Sequence, residues 1–314
     1  MKFDFAPYGY KYILSKDTPI LKHISLLAPI QYVSKTQLVT KHTTYRLNYR
    51  LGAGTYGTIY KASSKGTDLV IKIIKTEDLR DLWDSVKEVI IQILVYTETK
   101  DLPGGPYAPQ VLEIAYDRNK RVLYIAQELL DGTLESLIKH RSADQNDKYL
   151  LREIDTLATQ LDWLGTHLKF NHRDFKTDNV MYKRTSTGQA LRLIDFGMSC
   201  MTWNGIHLSA ASDNFPAAQT CYRPARDLTS LLFDILRYER SSISNSLFAF
   251  LHEFVKPHQQ GKEINIIKQI SWGDTYEFLN RENVENPRAT PASIRKTIKS
   301  SKPSRQFTKK RCRH

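Results

Sequence analysis

The sequence predicts an α+β protein of two lobes. Three observations carry that reading. From Tyr45 to Gln127 the chain is rich in β-branched and aromatic runs separated by Gly-containing turns. After Gly132 the apolar residues fall at helical spacing instead. The composition is that of an ordinary globular chain: the 314 residues are 41% hydrophobic, 25% charged and 11% aromatic. Collagen-like, mucin-like and wholly disordered chains are excluded, and there is ample apolar material for a core.

Residues 1–45 read as an irregular N-terminal extension with two short β-prone pieces, at 30–33 and 36–39. The smaller lobe, 46–128, is expected to hold strands at 46–51, 58–62 and 68–74. One major helix follows at 79–96, where Leu79, Leu82, Val86, Val89, Ile90, Ile93 and Leu94 share a face. Pro103-Gly-Gly-Pro106 breaks the chain, and two more strands, 111–116 and 121–127, flank the polar turn Asp117–Lys120. The larger lobe, 129–291, is expected to be mainly helical. A short helix at 134–139 precedes a long one at 150–168, striped with Ile154, Leu157, Leu161, Leu164 and Leu168. The crevice between two such lobes is the expected place for a ligand.

The formal charge of +13 sits at the ends. Residues 1–46 carry seven Lys/Arg against two Asp, and residues 292–314 carry nine Lys/Arg and no acid, so the body is close to neutral. The 292–314 tail lacks sustained apolar periodicity and is expected to be disordered. It reads either as a solubilising end or as a contact for nucleic acid, an acidic partner or an anionic surface, or as a nuclear import signal. Nothing beside it suggests sequence-specific nucleic-acid reading. No apolar run approaches the roughly 20 residues of a membrane-spanning helix, and the N-terminus lacks the apolar block of a signal peptide. Cys200, Cys221 and Cys312 are scattered, form no CxxC pair, and suit a reducing compartment better than a disulfide framework. A soluble, intracellular protein is expected.

Four motifs carry chemistry. In Leu51-Gly-Ala-Gly-Thr-Tyr-Gly-Thr-Ile59, the glycines at 52, 54 and 57 let backbone N–H groups approach phosphate oxygens. A strand follows them rather than a helix, which argues against a dinucleotide fold and for a loop between antiparallel strands. Lys72 lies inside the apolar strand Leu69-Val-Ile-Lys72, and Glu88, sixteen residues on, stands on the predicted helix where its carboxylate could hold that ammonium. Alone, each would read as a solvated side chain. Asn171-His-Arg-Asp-Phe-Lys-Thr-Asp-Asn179 follows the long helix, and Leu193-Ile-Asp-Phe-Gly197 comes soon after. Together they offer a base, a cation and two oxygen ligands for Mg²⁺, the parts that phosphoryl transfer requires.

In this order and at these separations, the motifs over residues 46–295 resemble those of eukaryotic-type protein kinases. The resemblance implies a bilobal kinase-like fold: a small antiparallel sheet with one major helix, then a larger, mainly helical lobe. It implies ATP and Mg²⁺ (or Mn²⁺) as cofactors and a protein substrate. By the same resemblance Gly52, Gly54 and Gly57 would cover the phosphates and Lys72, paired with Glu88, would bind them. Asp174 would accept the substrate proton, Lys176 would stabilise the transferring phosphoryl, and Asn179 and Asp195 would hold the metal. Leu51, Ile59, Val70 and Met181 would sandwich adenine, with Gln127 as gatekeeper and Glu128 to Leu130 as hinge. Lys176, two places after Asp174, resembles serine/threonine rather than tyrosine kinases. Arg173 is of the type controlled by activation-loop phosphorylation, with Ser199, Thr202, Ser209, Ser212 and Thr220 as candidates.

The sequence also departs from the family pattern. Val70 replaces a customary alanine. Thr220-Cys-Tyr-Arg-Pro224 lacks the glutamate that usually closes the activation segment, and Asp227 follows Pro224 after only three residues. The peptide platform is therefore expected to be short, and Arg288, in Asn286-Pro-Arg-Ala-Thr290, must find another partner. Such abbreviation resembles kinases encoded by large DNA viruses, which would extend the expected locations from cytoplasm or nucleus to the virion. Two other functions fit the same residues: a kinase-fold enzyme acting on a lipid or small molecule, and a non-catalytic scaffold.

Overall fold

The computed structural model describes residues 3–4, 13–14, 28–54, 57–186, 188–209, 221–259, 262–264, 266–269 and 284–300. Thr55, Tyr56, Ser212, Thr220, Cys312 and the remainder of the basic tail beyond Ser300 lie outside these residues. The chain divides into two compact units, residues 1–130 and 131–314.

In the first unit a two-stranded pair, β1 (Phe3–Asp4) and β2 (Ile13–Leu14), precedes a seven-stranded closed barrel. Its strands are β3 (Ala28–Val33), β4 (Gln37–Thr40), β5 (Thr44–Gly54), β6 (Gly57–Ser64), β7 (Thr67–Lys75), β8 (Val111–Asp117) and β9 (Val122–Glu128). They are ordered β3-β4-β5-β6-β7-β9-β8. All neighbours are antiparallel except the closure, where β3 runs parallel to β8 with Ala28 opposite Ala115. The expected boundary at 45/46 therefore needs correction from Ala28 onward: the two β-prone pieces are barrel staves. Their sequence signals were short, but closure removes a sheet edge and buries Leu38 and Tyr45 among Leu47, Ala62, Leu69, Ile71 and Tyr124. A buried carboxylate fastens the seam. Glu113 on β8 accepts hydrogen bonds from the Thr40 hydroxyl at 2.8 Å and the Tyr45 hydroxyl at 2.6 Å. Burial and that carboxylate push the Tyr45 phenol up.

The helix α1 (Leu79–Thr99) buries Leu82, Val86, Val89, Ile90, Ile93 and Leu94, the face its periodicity predicts.

The second unit is mainly helical. It opens with β10 (Gly132–Thr133), which pairs with the hairpin β11 (Val180–Thr185) and β12 (Gly188–Leu193). The helices are α2 (Leu134–His140), α3 (Ala143–Leu168), α4 (Arg226–Tyr238), α5 (Asn245–His252), α6 (Ile266–Gln269) and α7 (Pro291–Ser300). A second hairpin joins β13 (Cys200–Trp203) to β14 (Ile206–Ser209), and three short strands, β15 (His258–Gln259), β16 (Lys262–Glu263) and β17 (Val284–Glu285), form a small sheet. Helix α3 begins seven residues before the expected Leu150, because Ser142 and Gln145 form a reciprocal capping box.

The tail expectation also changes. Residues 291–300 are helical rather than disordered, with Ile294 and Ile298, one turn apart, buried and α7 lying against α3. Thr290 Oγ1 accepts the Ser293 amide, and Arg295 reaches Asp155 at 3.6 Å and Asp162 at 3.4 Å. Arg288 finds Glu253 at 3.6 Å, an exposed pair. A further correction concerns the cysteines. Cys200 and Cys221 are joined in a disulfide with their Cα atoms 5.8 Å apart. Their separation of 21 residues gives no motif that the sequence could show.

Candidate active site

In the first unit, strand register brings together the candidate phosphate-binding residues. Gly52 on β5 stands opposite Ile59 on β6, and Ile59 opposite Lys72 on β7. Side chains of directly opposed residues share a face, as do residues two apart, so Val70 lies on the Lys72 face and opposes Gln127. The pairing of β5 with β6 runs out to Gly54 opposite Gly57. Gly57 is required there: its φ is +146°, and a Cβ would strike the Ile73 carbonyl. Nothing would obstruct a Cβ at Gly52, so its glycine is not demanded by the fold. Lys72 Nζ meets Glu88 Oε1 at 2.7 Å, with side chains only 15% and 9% exposed, so the pair is held where water screens it weakly. Leu51 is exposed, Leu130 is buried, and the Glu128 amide donates to the Gln110 carbonyl at 2.9 Å. Gln127 Oε1 accepts from Gln92 Nε2 at 3.1 Å.

In the second unit, α3 ends at Lys169 in a left-handed conformation (φ 47°), and the chain turns into the Asn171–Asn179 loop. Lys176 Nζ donates to Asp174 Oδ2 at 3.1 Å. Asn179 Nδ2 donates to the Asp174 carbonyl at 2.8 Å and to Asp174 Oδ2 at 2.9 Å. One carboxylate is thus gripped by a cation and an amide. Burial pulls the Lys176 ammonium down, but Asp174, Asp195 and Asp178 outweigh it, and the group lies above its ordinary value. The Ile194 amide donates to the Asn179 carbonyl at 3.0 Å, which ties β12 to the loop and sets Asp195 one residue on. Asp195 is left-handed at φ 60°, as is Arg173 at φ 70°. Two non-glycine residues in that region thus flank the candidate site, a backbone conformation that costs energy unless the surrounding structure holds it. Met181 opposes Thr133 and Arg192 on β11. Phe196 is fully buried and its ring lies 5.5 Å from that of His172.

The donor set fits a hard divalent cation. Because both Nδ2 contacts of Asn179 are donations to Asp174, its Oδ1 is the atom left as acceptor, and with the Asp195 carboxylate the ligands are all oxygen.

The floor of the loop comes from α4, whose residues 226–236 are all buried. Asp227 Oδ2 accepts from Asn171 Nδ2 at 2.9 Å and the His172 amide at 2.8 Å, and its Oδ1 accepts from the Arg173 amide at 3.0 Å. Asp234 Oδ2 accepts from the Thr177 amide at 2.8 Å and the Thr177 hydroxyl at 2.6 Å. The sequence reading noted Asp227 only for its closeness to Pro224 and missed Asp234. The signal was present: two carboxylates seven residues apart in Asp227-Leu-Thr-Ser-Leu-Leu-Phe-Asp234, an otherwise uncharged and largely apolar stretch, need partners. Among the phosphosite candidates, Ser209 Oγ accepts from Arg173 Nη1 at 3.2 Å, while Ser199 is buried with its hydroxyl on the His172 carbonyl.

The sequence profile described as "Protein kinase domain" matches residues 45–217, more than half of the chain. The chain belongs to the protein kinase family. Among curated relatives of this chain, a protein named "Calcium-dependent protein kinase 5" from Plasmodium falciparum (isolate 3D7) is 27% identical over 168 residues, 52% of this chain and 27% of that protein. Its namesake from Plasmodium berghei (strain Anka) is 26% identical over 190 residues, 57% of this chain and 31% of the relative. "Dual specificity protein kinase shkA" from Dictyostelium discoideum is 28% identical over 183 residues, 58% of this chain and 31% of the relative. The match thus spans under a third of each relative's own length. Among the described residues no helix is long and apolar enough to cross a membrane.

Proposed function

We propose that this kinase-family chain transfers the γ-phosphoryl group of ATP to a serine or threonine hydroxyl of a protein. The observation that carries the reading is the grip on Asp174, with Lys176 at 3.1 Å and Asn179 at 2.9 Å from one carboxylate oxygen. Asp174 would orient the acceptor hydroxyl and take its proton, and Lys176, held beside it, would meet charge developing on the transferred group. Lys72, oriented by Glu88, would bind the nucleotide phosphates under the Gly52–Gly57 loop. Asn179 and Asp195 would hold Mg²⁺ or Mn²⁺, which when bound neutralises phosphate charge. Lys176 at its position favours serine or threonine over tyrosine as acceptor.

A second reading, transfer to a lipid or small molecule, is favoured by one feature: α4 begins only two residues after Pro224, which leaves little chain for a peptide platform. Incubation with labelled Mg-ATP and a panel of basic and acidic proteins, inositol lipids and small alcohols separates the two. Phosphoserine or phosphothreonine in acid hydrolysates supports the first reading. Label confined to non-protein acceptors overturns it in favour of the second, and ATP binding without transfer overturns both.

A further inference from the structure

Asp227 and Asp234 lie seven residues apart on α4, two helical turns or roughly 10 Å along the axis, and so share one face. Both are buried, at 2% and 7% exposure. A buried carboxylate is costly unless hydrogen-bonded; Asp227 stands in the first turn of α4, but Asp234 lies in its interior, where the helix's own N–H groups are committed to its carbonyls. The donors come from the loop instead. Asp227 takes the Asn171 side chain and the amides of His172 and Arg173, the three residues before Asp174. Asp234 takes the amide and hydroxyl of Thr177, which lies after Asp174 and between Lys176 and Asn179. Thr177 opens the one-turn 3₁₀ helix Thr177–Asn179, whose first N–H has no partner within the turn, and Asp234 satisfies it.

We propose that Asp234 is a positioning residue: it pins Thr177 to α4 on the far side of Asp174 from the Asp227 contacts, and so fixes Lys176 and Asn179 against that carboxylate. This deepens the phosphotransferase reading and rests on it. Without the Asp234 contact, Thr177 is free to lift from α4. The Lys176 and Asn179 side chains, which flank it, then lose their common registration on Asp174 Oδ2. Substrate and nucleotide binding by other residues is left in place, so the loss falls on the transfer step.

The two oxygens of Asp234 are not equivalent, and this makes the proposal testable. A single atom, Oδ2, accepts both Thr177 donors. In Asp234→Asn the amide oxygen can occupy that place and keep both bonds, whereas Asp234→Leu keeps neither. Steady-state kinetics of the full chain with Mg-ATP and an accepted protein substrate should show kcat lowered on the order of 100-fold in Asp234→Leu, with KM for ATP unchanged. Asp234→Asn should remain within about threefold of the original kcat. Hydrogen–deuterium exchange is read in parallel: Asp234→Leu should speed exchange across residues 171–180 while α3 stays protected. If Asp234→Leu does not fold, Thr177→Val, which removes only the hydroxyl, should lower kcat severalfold at unchanged KM.

An unmodified chain that transfers no phosphate overturns the proposed function, and the exchange measurement then decides the clamp alone. An active chain whose Asp234→Leu or Thr177→Val variant keeps full kcat overturns the positioning role. Equal loss in Asp234→Asn and Asp234→Leu also overturns it, as does unchanged exchange at residues 171–180.

Discussion

Replacing Asp227 with asparagine tests the upper half of the loop attachment, and the outcome follows from which oxygen does what. Asp227 uses both: Oδ2 accepts from Asn171 Nδ2 and the His172 amide, and Oδ1 from the Arg173 amide. An asparagine carries one oxygen, so in either orientation its NH₂ faces a buried backbone N–H. A hydrogen bond to a charged acceptor contributes about 1.5–3 kcal/mol net, and a buried donor left without a partner costs about 1–3 kcal/mol. Partial relaxation of the loop leaves an expected destabilisation of about 3 kcal/mol. Urea unfolding followed by tryptophan fluorescence (Trp163 is on α3) reads that loss as a lower midpoint at unchanged slope. The same substitution at Asp234 is expected to be mild, since one oxygen there serves both donors. An Asp227→Asn variant within about 0.5 kcal/mol of the parent refutes this orbital-by-orbital reasoning.

Other expectations follow from the site and its surroundings. Gly57→Ala should destabilise the chain by about 1–3 kcal/mol, because its φ of +146° and the Ile73 carbonyl both exclude a Cβ, whereas Gly52→Ala should unfold like the parent and be altered only in nucleotide affinity. Denaturation and nucleotide titration of the two variants check the contrast. The Asp178 carboxyl is pushed up to about 6 by desolvation and by its hydrogen bond and proximity to Glu135, so it holds its proton longer in the folded than in the unfolded chain. Its stabilising contribution is complete at low pH and is lost as pH rises through about 6. A carbon-13 carboxyl titration should show that midpoint moving downward in Glu135→Gln, and an unmoved midpoint would assign the shift to desolvation alone. Reducing the Cys200–Cys221 bond, which closes a loop across 21 positions, should cost up to about 3 kcal/mol by the chain-entropy estimate. The midpoint of thermal unfolding with and without dithiothreitol measures it, and Cys221→Ser should reproduce the reduced value.

The strands and helices that position the candidate phosphate-binding residues were legible because each depends on local pattern. The α1 stripe from Leu82 to Leu94 and the alternation around Lys72 needed only neighbours in sequence. The Lys72–Glu88 pair was legible for a different reason: its parts lie on adjacent elements whose order is fixed. What escaped the sequence depends on distant chain. Closure of the barrel by residues 28–40 requires β3 to meet β8, and nothing within Ala28-Pro-Ile-Gln-Tyr-Val33 signals that Ala28 will lie opposite Ala115, 87 residues on. The same holds for Cys200 with Cys221 and for Thr177 with Asp234. Two misses were avoidable. Ser142-Ala-Asp-Gln145 is a capping box written in sequence, and the isoleucines at 294 and 298 were enough to seat one helix turn on α3 within an otherwise basic tail.

On the proposed function, the Asp174 carboxylate would serve a phosphoryl transfer for which Lys72 and Asp195 would supply nucleotide and metal contacts. Single-turnover transfer from labelled ATP, measured for the full chain and for Asp174→Asn with nucleotide binding monitored in the same samples, tests it most directly. Asp174→Asn should bind ATP as the parent does yet transfer about 10²–10⁴ times more slowly. Transfer at the parent rate by Asp174→Asn would contradict the account.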